Sequence, residues 1–200
     1  MNELKETFAK LGETFMRCFV NEGYWKWLVQ GFKNSLIITF FAILIGFVFG
    51  IVLAMVRTSY DKNEETMKLR GGFGYWFLRF INALCKIYIT VIRGVPVVVQ
   101  LMLWYFVILV SQDNGVVVAI VAFGFNSAAY VAEIFRGGIM SIDAGQFEAG
   151  RSLGFGYVRT MINIVIPQAV KTVLPTLLNE VIALLKETSV AGYVGIMDLT

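Results

Sequence analysis

Across 200 residues, 58% are hydrophobic and 16% charged, with a net charge of +3, no histidine and two cysteines. Soluble domains carry about 25% charged residues, so this balance suits lipid as the main solvent. The missing histidine removes the commonest metal ligand and general base, the isolated Cys18 and Cys85 form neither a ligand cluster nor a disulfide framework, and without a G-x-x-x-x-G-K-[ST] loop the chain has no visible means of holding ATP.

Residues 1–33 mix charge with apolar residues. Leu4, Phe8, Leu11 and Phe15 recur at helical spacing against Lys5, Glu6, Lys10 and Glu13, which predicts an amphipathic helix lying at an interface. Tyr24, Trp25 and Trp27 follow as an aromatic belt. No signal peptide is evident, because the first long apolar run starts only at about Leu36. Asn34 to Val56 is free of charge and long enough, at about 1.5 Å per residue, to cross a hydrocarbon core of about 30 Å. Within it Gly46 and Gly50 form a G-x-x-x-G pair that permits close helix approach, a weak signal for a dimer.

Arg57 to Arg79 reads as the most charged loop, with Lys62, Lys68 and Arg70 between them, and the positive-inside rule places it in the cytoplasm. Gly71-Gly72-Phe73-Gly74 is its joint. From 80 to 110 a second crossing is expected. Arg79, Asn82, Lys86, Thr90 and Arg93 make one polar stripe on its first part, and Gly94 and Pro96 bend or break it. Ser111 to Gly115 is a short turn without positive charge, suited to the outer face. The third crossing covers 116–136 and closes on Glu133 and Arg136, one turn apart. The fourth covers 164–185, and Pro175, which cannot donate to the Lys171 carbonyl, predicts a kink there.

Between the third and fourth crossings, 141–163 is polar. Asp143 can cap a helix start, with Gln146 placed as in a capping box. Glu148 and Arg151 stand one turn apart and can pair, and Gly154 supplies a sharp turn. A polar helix–turn–helix between two membrane-length runs is a loop built to be touched from the aqueous side.

The spacing of Glu148, Ala149, Gly150, Gly154, Ile164 and Pro167 resembles the E-A-A-x3-G-x9-I-x-L-P loop of permease subunits of ABC importers, with Gly150 and Ile166 departing from the usual Ala and Leu. Arg93-Gly94-Val95-Pro96-Val97-Val98-Val99-Gln100-Leu101 is similar to the R-G-T-P-L-L-V-Q-L segment of polar amino acid permeases, Val95 standing for Thr. Asn126 to Ile139 and Leu184 to Ser189 resemble other segments of that family.

The resemblance implies an all-α, polytopic membrane helix bundle of the type I importer kind, one domain over 1–200, in the bacterial cytoplasmic membrane. It implies ATPase subunits as partners, a second permease subunit (a copy or a relative) and an external solute-binding protein. The ATP belongs to the partner; no cofactor, catalysis or nucleic acid is expected of this chain. The family usually has five membrane helices with the N-terminus outside. Four are read here, so a last helix is expected beyond Thr200. Lys5, Lys10, Arg17, Lys26 and Lys33 argue against the outside placement by charge alone.

Glu148, Ala149, Gly150, Gly154, Ile164 and Pro167 are the expected ATPase-coupling residues. For a zwitterionic substrate the path needs both signs of charge or strong hydrogen bonders at membrane depth, and such residues usually face a cavity. Arg93, Gln100, Asn126, Glu180 and Glu187 are the candidates; Arg93 could meet a carboxylate, and the two glutamates, seven apart on one helix face, an ammonium. The competing reading is a passive channel or a membrane assembly protein, which would not need the Glu148 hairpin.

Overall fold

The computed structural model describes Thr7, Lys10, residues 12–14, Met16, Arg17 and residues 23–196. The amphipathic helix expected on Leu4, Phe8, Leu11 and Phe15 lies outside the described residues. Among those described, the regular structure is helical without strands.

Helix α1 runs from Trp25 to Arg70. The apolar span expected at 34–56 is its middle; Lys, Glu, Met and Leu, all good helix formers, then carry it on through the charged sequence. The expected loop from Arg57 to Arg79 is therefore helix on both sides of a two-residue joint. Gly71 and Gly72 take φ of +61° and +103°, a region open to glycine, and the Gly71 N–H closes the helix on the Met67 carbonyl at 3.1 Å. Helix α2, Phe73–Gly94, follows.

The crossing expected at 80–110 is interrupted where Gly94 and Pro96 predict a bend or break. It breaks at Val95-Pro96 and resumes as α3, Val97–Leu103, with a wider π-helical turn over Trp104–Ile108. Asn114 then starts α4, Gly115–Met140, its side chain accepting from the Val116 N–H at 3.0 Å. The hairpin comprises α5, Gly145–Ser152, and α6, Tyr157–Thr160. A π-helical turn, Met161–Val165, leads into α7, Ile166–Glu187. Pro175 sits exposed inside α7 and does not end it. A 3₁₀ segment, Thr188–Val194, brings Ile196 beside Gly115. Among the described residues, four helical runs are long and apolar enough to cross a membrane: Trp25–Lys62, Phe73–Gly94, Gly115–Met140 and Tyr157–Val194.

Helix α4 is the centre of the bundle. Val118, Ala119, Phe123, Ala128, Ala129 and Val131 are sealed from the surface. Helix α1 lies parallel to it. Successive contacts advance together down both helices, from Gly46 on Ser127 and Gly50 on Val131 to Arg57 on Glu133 and Asp61 on Arg136. A Cβ on Gly46 would stand 2.8 Å from Ser127, one on Gly50 2.6 Å from Val131, and one on Gly124 2.8 Å from Ile45. The G-x-x-x-G pair is thus used up inside the chain. In lipid, where apolar burial gives helices no preference for one another, such small-residue contacts let backbones approach and gain dispersion energy. The outward face of α1 carries the large residues instead, Phe40 and Val48 among them, 59% and 58% exposed.

Gly50→Val is expected to destabilise the purified chain by about 1–3 kcal/mol, the range for overpacking. Gly137→Ala, on α4 but with nothing within 4 Å of the added methyl, should be neutral or stabilising. Thermal unfolding in detergent, both variants side by side, checks the contrast.

Candidate functional site

The hairpin between α4 and α7 is built from short, mutually dependent contacts. Asp143 caps α5, its carboxylate accepting from the Gly145 N–H at 2.7 Å. The capping box does not close as expected, because the Gln146 side chain turns away; its oxygen accepts from the Gln168 amide at 3.1 Å and so ties α5 to the start of α7. The end of α5 is a Schellman motif. The Phe155 N–H reaches the Gly150 carbonyl and the Gly154 N–H the Arg151 carbonyl, both at 2.9 Å, with Gly154 at φ +76°. Glu148 and Arg151 are exposed and form no ion pair with each other, which leaves both free for a partner. They line an open cavity of about 590 Å³ with Lys62, Asp143, Phe147 and Tyr157.

Gly150, unlike its neighbours Ala149 and Arg151, is buried. A Cβ there would lie 2.6 Å from both Cγ2 and Oγ1 of Thr160, which is itself buried on α6. The departure from alanine at this position matches a β-branched residue on the facing helix. Ile164 lies in the π turn and its carbonyl accepts from Gln168 Nε2 at 3.0 Å. Pro167 is exposed at the first turn of α7, where a missing N–H is least costly. The π turn just ahead of it lets the chain stay helical through a residue that cannot donate.

The expected path residues fare differently. Gln100 is buried, and its amide nitrogen donates to the Ile92 carbonyl at 2.7 Å and the Val95 carbonyl at 2.8 Å. An uninterrupted helix would satisfy the Ile92 carbonyl from residue 96, and Pro96 has no N–H. Gln100 therefore mends the break in the backbone. Asn126 is buried on α4 beside Ser127, whose hydroxyl donates to Glu180 Oε1 at 3.1 Å, joining α4 to α7. Arg93 lies with its guanidinium 5.2 Å from the Tyr130 ring centre, within electrostatic range of both Glu133 and Glu180. Glu187 is half-buried further along α7, near enough to Glu180 to act on it electrostatically. Arg93 and Glu180, read separately in the sequence, belong to one polar neighbourhood.

Sequence reasoning missed what anchors that neighbourhood. Glu133 accepts from Arg136 at 2.8 Å and from Arg57 at 3.1 Å, and Arg136 also reaches Asp61 at 3.2 Å. Only the three-residue spacing of Glu133 and Arg136 was visible; the two contacts to α1 cross more than 70 residues. Arg57, Arg93, Arg136, Lys86 and Glu133 line a cleft of about 520 Å³. Among the described residues, no group of three or more acidic, cysteine or histidine side chains could hold a metal ion.

Gly150→Ala should loosen the hairpin, and Thr160→Ala in the same chain should restore it. A double-mutant cycle on thermal stability or on limited proteolysis within 141–160 is expected to show coupling of about 0.5–3 kcal/mol, the range for residues in contact.

Residues 71–200 match the family model described as binding-protein-dependent transport system inner membrane component. The arginine transport system permease protein ArtQ of Bacillus subtilis is 36% identical over 175 residues, covering 86% of this chain and 72% of that protein. The putative glutamine transport system permease protein GlnP of Rickettsia prowazekii is 31% identical over the same coverage. A chain from the crystal structure of an amino acid ABC transporter with histidines superposes with a TM-score of 0.73 at 35% identity, covering 88% of this chain and 76% of the other. A chain of the inward-facing MetNI methionine ABC transporter reaches 0.67 at 20% identity, over 86% and 76%, a likeness of fold. Helix content, buried glycine contacts, polar hairpin and sequence kinship agree: the chain is a multi-pass membrane protein and belongs to the family of inner membrane components of binding-protein-dependent transport systems, the permease subunits of ABC importers.

Proposed function

We propose that this permease carries a polar amino acid across a bacterial cytoplasmic membrane, powered by ATP that separate ATPase subunits bind and hydrolyse. Its other partners are a second permease subunit and an external solute-binding protein. The observation that carries the reading is the Ser127–Glu180 contact between α4 and α7, with Arg93 in electrostatic range. In this reading the carboxylate and the guanidinium lie at membrane depth, where they suit a zwitterion and where a charge costs about 2.5–3.5 kcal/mol on insertion scales unless function or a cavity accounts for it. Support for the substrate class comes from relatives named for arginine and glutamine transport. Glu180, together with Glu187, would meet an ammonium or a basic side chain, and Arg93 a carboxylate. Asn126, buried next to Ser127, would lend an amide. Gln100 supports the Gly94–Pro96 break through its amide nitrogen and keeps its buried Oε1, unpartnered among the described residues, for the substrate.

The hairpin is the ATPase's handle in this reading. Glu148, Ala149 and Gly154 present an exposed surface, Gly150 and Ile164 fix the geometry beneath it, and Pro167 marks the entry to α7. ATP need favour one of two packings by only a few kcal/mol, since shifting a two-state equilibrium from 1:99 to 99:1 takes about 5.5 kcal/mol. A passive channel or an assembly factor has no use for such a hairpin.

Two measurements in proteoliposomes with the complete transporter test these roles. Glu180→Gln and Arg93→Ala should each cut amino acid uptake at least tenfold while binding-protein-stimulated ATP hydrolysis persists; unchanged uptake in both removes them from the path. Glu148→Lys reverses a charge on the exposed face, and Gly154→Pro forbids both the positive φ and the N–H bond to Arg151. Both should lose ATPase association or ATP-driven uptake while still inserting, and normal transport in both would refute the docking role.

A further inference from the structure

Lys62 does something the substrate path and the hairpin surface leave unexplained. It sits on the cytoplasmic extension of α1, half-buried, with its ammonium 3.7 Å from the centre of the Phe147 ring on α5. Phe147 in turn stacks on Tyr157 of α6, ring centres 6.1 Å apart and planes 18° from parallel. No carboxylate pairs with Lys62 among the described residues. A cation held over an aromatic face is attracted by the ring quadrupole, at a typical contact limit of about 6 Å. Lys62 is well inside that limit.

The neighbouring residues give this contact its direction. Asp61 binds Arg136, and Arg57, one turn earlier, binds Glu133. At this level α1 is clamped to α4 by two ion pairs, and above it by the glycine contacts of Gly46 and Gly50. A displacement of Phe147 that reaches Lys62 is delivered to α1 and α4 as one body. Ser127, the α4 partner of Glu180, belongs to that body. The Gln146–Gln168 bond and the Gly150–Thr160 contact connect the same hairpin to the segment entering α7. The hairpin thus has two outlets, one to α7 and one, through Lys62, to α1 and α4.

We propose that Lys62 is a positioning residue of the transport cycle: its cation–aromatic contact with Phe147 carries motion of the cytoplasmic hairpin to the α1–α4 pair, opening and closing the Ser127–Glu180 contact. The inference rests on the reading of the hairpin as the ATPase's docking element. It assigns α1's cytoplasmic extension a part in coupling, separate from docking.

The test uses the complete transporter in proteoliposomes, and reads amino acid transported per ATP hydrolysed beside co-purification of the ATPase. Lys62→Gln and Phe147→Leu are each expected to lower that ratio at least threefold with ATPase binding and hydrolysis retained. Lys62→Arg, which keeps a cation for the ring, should restore it, and the double variant Lys62→Gln/Phe147→Leu should be no worse than either alone. A wild-type ratio in Lys62→Gln overturns the proposal. So does a multiplicative loss in the double variant, which would mean that the two residues act independently. Loss of ATPase binding in Lys62→Gln overturns it too, by making Lys62 part of the docking surface. Failure of the wild-type chain itself to bind an ATPase would instead defeat the hairpin reading on which the proposal stands.

Discussion

The close parallel contact between α1 and α4 is the constraint on which the remaining geometry depends. It exists because Gly46, Gly50 and Gly124 leave no side chain where Ser127, Val131 and Ile45 must pass. Once the two backbones are that near, Arg57 and Asp61 come level with Glu133 and Arg136, and charges that would be costly singly become a connected set. With α4 fixed, Ser127 faces α7 at Glu180 and Tyr130 offers its ring to Arg93. Widening the first contact by the width of a methyl group would be felt at each of these places.

Much of this was readable in the chain and some was not, for physical reasons. Membrane-length apolar runs announce themselves by length and lack of charge, and the hairpin by its return to polarity. Helix ends were harder. Residues 57–70 look like a loop by charge, yet the Lys, Glu, Met, Leu and Arg among them favour helix, and the helix ends at the glycine pair at 71–72. The break in 80–110 was legible in Gly94 and Pro96, since proline removes an N–H, and the helix does stop at Gly94 and resume at Val97. Gly150 looked like a small deviation from a motif; its reason, Thr160, is ten residues away in a different helix.

Gln100 shows how local chemistry can account for one end of a buried amide. An amide inside a membrane helix reads as a substrate contact, because an unpaired polar group in hydrocarbon is costly. Here the amide nitrogen is satisfied within the backbone, by the Val95 carbonyl and by the Ile92 carbonyl that Pro96 leaves without its helical donor, while Oε1 is buried without a partner among the described residues. Glu180 differs in that its partner, Ser127, belongs to another helix, so a movement of the two helices opens the pairing. One amide nitrogen is thus bound to its own segment, while the Glu180 carboxylate is shared by two helices.

The contact between Gly150 and Thr160 also bears on how such proteins can be recombined. Because neither residue can grow without displacing the other, the two faces of the hairpin form a single exchangeable unit whose boundary lies outside both. A chimera spliced within 151–159 would join one parent's α5 to another's α6 and set two unmatched volumes against each other. Splices placed in α4 before Asp143 and in α7 after Gln168 would transplant the turn, the cap and the Gln146–Gln168 link together.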